Sequence, residues 1–173
     1  MALTSHTYPT PLGDMLAVFS DGGLCLLEFV GQKRLDRELR QVRAARGGPI
    51  EDGENPLTAR LGQQLKEYFA GQRRDFDVPI DLVGTPFQQS VWRALLAIPY
   101  GKTWSYAREA RHIGRPTAVR AVANANGSNK ISVVIPCHRV IGSNGQLTGY
   151  GGGLPRKEWW LDMEAQAARG AVP

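Results

Sequence analysis

Acidic residues nearly vanish halfway along this chain, and that discontinuity limits what it can fold into. Residues 1–81 hold 10 Lys/Arg and 12 Asp/Glu, a net of −2, whereas residues 82–173 hold 11 and 4, a net of +7. Between Pro86 and Lys157 there are ten basic residues and one acid, Glu109. Such a break predicts two units, 1–81 and 82–173, joined near Asp81 to Gly84. It also predicts that the second unit draws a polyanion, with a plain solvated basic surface as the competing reading. At 173 residues and 42% hydrophobic, the chain can fill one large or two small cores. No run approaches the roughly 18 apolar residues of a membrane span, and Met1 to Thr10 shows no secretory pattern. The two cysteines, Cys25 and Cys137, make no disulfide framework, so a reducing cytoplasm is the expected location.

The first half reads as strands followed by helices. Leu3 to Tyr8 is a weak strand. Met15 to Ser20 and Leu24 to Val30 flank Asp21-Gly22-Gly23, a tight-hairpin signal because glycine supplies positive φ. Leu35, Leu39 and Val42 form one apolar stripe on a charged helix from Lys33 to Arg46, ended by Gly47-Gly48-Pro49. Leu57, Leu61, Leu65, Tyr68 and Phe69 mark a second helix closed by Gly71. Phe76, Val78 and Ile80 alternate as an edge strand, given Pro79. Cys25 reads as a packed core thiol.

After Gly84 the pattern becomes helical. Thr85-Pro86-Phe87-Gln88 is a capping box with proline at the first helical position, and its helix turns Phe87, Val91, Leu95 and Ile98 inward. A short helix follows around Ser105 to Arg111, then a turn at Ile113-Gly114, then a helix opened by Pro116 and running to about Asn126. Two short helices about a glycine turn make a helix-turn-helix. On the second helix Val119 and Val122 are expected inward. Arg120 and Asn124 share another face with Ala121, Ala123 and Ala125 nearby, a small-residue surface suited to DNA or, alternatively, to plain helix packing.

Ile131 to Ile135 is a β-branched run that predicts a buried strand ending in Pro136-Cys137-His138-Arg139-Val140. Cys137 would be fixed there, with Arg139 favouring its thiolate, His138 as a base and Glu158 on a helix from Pro155 to Glu164. Thiol, imidazole and carboxylate are the parts of an activated nucleophile. Adjacent residues rarely point the same way, so a water would bridge the first two. His6, Cys25, His112, Cys137 and His138 lack metal-ligand spacing, so neither metal nor cofactor is expected.

With these residues in view, the second half resembles the methylated-DNA–protein-cysteine methyltransferases, or O6-alkylguanine-DNA alkyltransferases. The resemblance rests on Thr85 to Gln88, Val91-Trp92, Ile98 to Gly101, Ser105-Tyr106, Arg120 to Val122, Ile135 to Val140, Gly149-Tyr150 and Lys157-Glu158. It implies an α+β chain with a ribonuclease H-like sheet-plus-helix domain, then a mostly helical domain with a winged helix-turn-helix. It implies repair of duplex DNA by a monomer that binds the minor groove, flips out O6-alkylguanine and accepts the alkyl group once. Carried over by position, Cys137 is the acceptor, His138 the water-mediated base and Glu158 its partner. Asn129 braces the turn, and Tyr106 rotates the phosphate and donates to guanine. Arg120 plugs the gap, with Ala121, Asn124 and Ser105 also on the DNA side. Val140, Tyr150, Gly151 and Lys157 are implied to line the substrate pocket. Some members carry zinc in the first half, which here offers only Cys25 and His6.

The chain departs from the usual pattern at Lys130, Ala123 and Gly151, and Trp159-Trp160-Leu161 replaces a leucine-rich run. Two rivals remain at this level. A winged-helix regulator or lesion sensor would have no need for Cys137, and a cysteine hydrolase using Cys137, His138 and Asn129 would require an oxyanion hole.

Overall fold

The computed structural model describes residues 3–142 and 153–170. The chain divides into two compact units, Met1–Val83 and Gly84–Pro173.

The first unit is a four-stranded sheet with two helices. Strands β1 (Leu3–Tyr8), β2 (Met15–Ser20) and β3 (Gly23–Phe29) form an antiparallel meander. A short strand β4 (Ile50–Asp52) joins the other edge of β1 in parallel, giving the order β3-β2-β1-β4. Gly23 shows why the hairpin needs glycine: its φ is +135°, and a Cβ there would lie 2.3 Å from the Pro79 carbonyl oxygen. Helix α1 (Leu35–Arg46) follows β3 and turns Val42 into a core with Leu3, Val18, Cys25, Leu26 and Val83, while Leu35 and Leu39 pack on its margin. Helix α2 (Pro56–Phe69) opens with an Asn55–Thr58 capping box and buries Leu61, Leu65 and Tyr68.

The strand expected at Phe76 to Ile80 reduces to one parallel bridge, Ile80 to Leu24. Pro79 has no N–H to extend a ladder; its carbonyl accepts from Leu24 N at 2.8 Å and the pairing stops.

The second unit opens with α3 (Pro86–Leu95), capped reciprocally by Thr85 and Gln88. Val91, Trp92 and Leu95 are buried, Phe87 is half-buried, and Ile98 packs inward from the turn beyond the helix. The Trp92 indole N–H donates to the Ala125 carbonyl at 2.8 Å, tying α3 to α5 (Val119–Gly127). Between them, β5 (Trp104–Ser105) leads into α4 (Tyr106–His112), with Ser105 capping the helix by accepting from Arg108 N. Helices α4 and α5 are the helix-turn-helix, with Gly114 at φ +76° in the turn.

Helix α5 starts at Val119, three residues later than Pro116 suggested, because Arg115 to Ala118 close a separate turn (Ala118 N to Arg115 O, 2.9 Å). Val119 is exposed and Val122 alone of that pair is buried. Beyond α5 lie a 3₁₀ turn at Cys137–Arg139, β6 (Val140–Ile141) pairing in parallel with β5, and α6 (Leu154–Gly170).

Candidate active site

Ile131 to Ile135 is buried as expected but is not a strand. The segment turns back on itself, with Val134 N donating to Ser132 O at 2.8 Å and Ile135 N to Ile131 O at 3.1 Å. Val133 sits at φ +71°, a conformation that costs a β-branched residue about 1–3 kcal/mol. Asn129 holds it there. Fully buried, its Oδ1 accepts from Ile131 N at 3.0 Å, and its Nδ2 donates to the Ile135 carbonyl at 3.0 Å and the Ile131 carbonyl at 3.4 Å. β-Branched composition marks burial here, whereas one amide side chain decides the backbone path. Those bonds commit Asn129 to the backbone and leave it no part in orienting His138, as a hydrolase triad would require.

The turn delivers Cys137, 8% exposed, at the start of the 3₁₀ turn, with its N–H donating to Ile135 O at 2.8 Å. His138 is completely buried, and its Nε2 lies 3.0 Å from Glu164 Oε2. Glu158 does not take the place expected for it. It is exposed, and the carboxylate at His138 is Glu164. The reason is helical phase: Lys157, Trp160 and Glu164 fall at i, i+3 and i+7 on the buried face of α6, and Glu158 lies a further 100° round.

Glu164 is gripped from two sides. Arg139 Nε and Nη2 donate to its two oxygens at 2.9 and 2.8 Å, a bidentate pair, while Arg139 Nη1 donates to the Ile98 carbonyl at 2.8 Å. These bonds commit the Arg139 guanidinium to Glu164 and the Ile98 carbonyl. Burial pushes the Glu164 carboxyl up, but the charges and hydrogen bonds of His138 and Arg139 outweigh it and hold it at about 2. Burial drives His138 down, against the pull of Glu164, so the resting ring is neutral. An ionised Glu164 only accepts, which places the proton on Nε2 and leaves Nδ1 as the acceptor. Nδ1 has no hydrogen-bond partner among the described residues.

Lys157, expected in the substrate pocket, is buried, and its Nζ donates to the Val140 carbonyl at 2.6 Å. Burial lowers its proton affinity and the Cys137 charge raises it. Val140 is fully buried and pairs with Trp104, while Ile141 pairs with Ser105. The β5–β6 ladder therefore ties the segment after Cys137 to the residues that open α4. Tyr106 and Ser105 are half-buried there; Arg120, Ala121 and Asn124 are exposed on α5. Tyr150 and Gly151 lie outside the described residues. Among those described, no three His, Cys, Asp or Glu side chains are placed to hold a metal ion.

The family model for the 6-O-methylguanine DNA methyltransferase DNA binding domain matches residues 86–166, and that for its ribonuclease-like domain matches residues 3–82. The methylated-DNA–protein-cysteine methyltransferase of Mycobacterium tuberculosis is 58% identical over 105 residues, which is 61% of this chain and 64% of that protein. The chain thus spans a little under two thirds of that relative. The protein of the same name from Mycolicibacterium paratuberculosis is 49% identical over 147 residues, 83% of this chain and 88% of its own. A crystal structure of Mycobacterium tuberculosis OGT in complex with DNA matches with a TM-score of 0.79 at 41% identity, covering 96% of this chain and 94% of that one. With both halves matched and the fold shared, the chain belongs to the methylated-DNA–protein-cysteine methyltransferase family.

Proposed function

We propose that this chain repairs O6-alkylguanine in DNA by transferring the alkyl group irreversibly to Cys137. The observation that carries the proposal is the buried pair of Glu164 and His138, the residue that follows Cys137 on the same 3₁₀ turn. Displacement at an alkyl carbon needs a soft nucleophile, and a free thiol of pKa about 8.5 is only a few per cent thiolate near neutrality. His138 Nδ1 takes the Cys137 proton through a water, and Glu164 stabilises the imidazolium. The sulfur then forms a bond to the alkyl carbon as the carbon–O6 bond breaks. Guanine leaves with that electron pair, its developing charge met by a hydrogen bond donated by Tyr106, and it is protonated from solvent as His138 returns its proton to solvent. The product is a thioether with no route back, so each chain acts once.

Duplex DNA is the partner that the +7 half and its exposed α5 residues suit. In this reading α5 enters the minor groove, Arg120 occupies the space of the extruded nucleotide, and Ala121 and Asn124 flank it. Flipping costs a few kcal/mol, which those contacts offset. The protein works as a monomer in a reducing cytoplasm, where Cys137 stays a thiol. Asn129 fixes the acceptor turn, and Val140 and Lys157 back the pocket, with Lys157 acting through the Val140 carbonyl.

The test is stoichiometry. Duplex DNA carrying labelled O6-methylguanine should lose one methyl per chain and no more, however long the incubation. Cys137→Ser should bind the duplex and remove none. Continued turnover, or an unlabelled protein on binding-competent DNA, would refute the proposal.

A further inference from the structure

Trp160 stacks on the His138 ring, and the transfer chemistry above leaves it without a role. It is completely buried, and its indole lies face to face with the imidazole, ring centroids 3.8 Å apart and planes inclined by 11°. Glu164 follows four residues later on α6, so one helix holds the imidazole twice: at its Nε2 edge through Glu164, 3.0 Å away, and across its face through Trp160. Contacts at edge and face together restrain the ring, and with it the direction of Nδ1.

We propose that Trp160 is a positioning residue for alkyl transfer, holding His138 in register and stabilising the imidazolium that forms as Cys137 loses its proton. This rests on His138 being the base. The physical ground is the indole quadrupole. A neutral imidazole gains dispersion from the stack, whereas an imidazolium also gains the attraction of a cation to the negative face of an indole, which is the strongest such face among side chains. The gain is differential and favours the proton-accepting state. It works with Glu164 and against the other influences on the ring, which are burial and the charges of Arg139 on its own turn and Lys157 on α6. A leucine at 160 would fill volume without supplying that face.

The experiment replaces Trp160 genetically with mono-, di- and trifluorinated tryptophan, alongside Trp160→Leu and Trp160→Phe, and follows single-turnover methyl transfer from O6-methylguanine duplex across pH. Fluorination drains the ring face at nearly constant size. The transfer rate at neutral pH should fall stepwise with each fluorine while the thermal midpoint stays put. Trp160→Leu should lose about three- to thirtyfold, with Trp160→Phe recovering part of it. The deficit should narrow above about pH 9, where solvent removes the thiol proton directly. A fluorine series with flat rates, or a leucine deficit that is equal at every pH, overturns the role. A wild-type protein that transfers no methyl, or a His138→Gln protein that matches wild type, overturns the underlying base assignment as well. Those two results are distinguishable from a failure confined to position 160.

Discussion

The molecule holds two buried thiols, and each unit also holds a carboxylate gripped by an arginine, but only Cys25 meets that carboxylate in a contact the structure records. In the first unit, Cys25 Sγ lies 3.5 Å from Asp81 Oδ2, and Arg46 clamps Asp81 at 2.6 and 2.7 Å. In the second, Arg139 clamps Glu164 in the same bidentate way, and His138, the residue after Cys137, bonds the same carboxylate. A thiol that meets a carboxylate directly has its ionisation opposed. Burial pushes Cys25 up, and the Asp81 charge and hydrogen bond push it further. A carboxylate reached through an imidazole acts oppositely, because it stabilises the cation left by the departing proton. On the proposed mechanism, reactivity follows the order of groups rather than their identity.

The comparison breaks most sharply by mutation of the sulfurs. Cys137→Ser should abolish methyl transfer, while Cys25→Ala should leave transfer per folded chain unchanged and lower only the thermal midpoint. Next in size, Glu164→Gln should slow single-turnover transfer by about 10²- to 10⁴-fold, the usual span of a general-base contribution. It should also destabilise the second unit by about 3–5 kcal/mol in denaturant titration, since Arg139 is left buried without its counter-charge.

A third carboxylate sharpens the rule because no arginine pairs with it among the described residues. Glu109 is completely buried between α4 and α5, where Asn126 Nδ2 donates to its Oε1 at 2.7 Å. Burial pushes it up to about 7, with the Asn126 bond pulling the other way. A raised carboxyl binds its proton more tightly folded than unfolded. Its contribution is therefore complete below about pH 4.5 and is lost as pH rises through about 7. Stability of the helix-turn-helix should fall across that window by on the order of 1–3 kcal/mol, and Glu109→Gln should flatten the slope. Asp81→Asn should cost about 1 kcal/mol in denaturant titration, because its Arg46 pair is partly exposed, and should not alter transfer. Smallest of all, exposed Glu158→Gln should stay within about 0.5 kcal/mol in stability and leave the transfer rate at the wild-type value.

Where local chemistry dictates structure, the chain is readable. The Asp21-Gly22-Gly23 hairpin, the Thr85–Gln88 capping box and the Leu35–Val42 stripe all form where their residues demand. Long-range partners are harder to see. β4 is three residues with no pattern of its own, and exists because β1 offers a free edge. The Ile131 to Ile135 run carries strand composition, yet the three hydrogen bonds of Asn129 impose a turn. Glu164 is not legible from local sequence because its phase on α6 is set by burial of Lys157 and Trp160. The seven-residue spacing from Lys157 to Glu164, two helical turns on one face, was the signal available.

The most direct measurement is residue-level mass spectrometry of the intact wild-type protein after exposure to excess O6-methylguanine duplex. The account predicts one added methyl group, carried by Cys137 as a thioether, with Cys25 unmodified in the same sample. A methyl on Cys25, or a protein that repairs the duplex and stays unmodified, would contradict it.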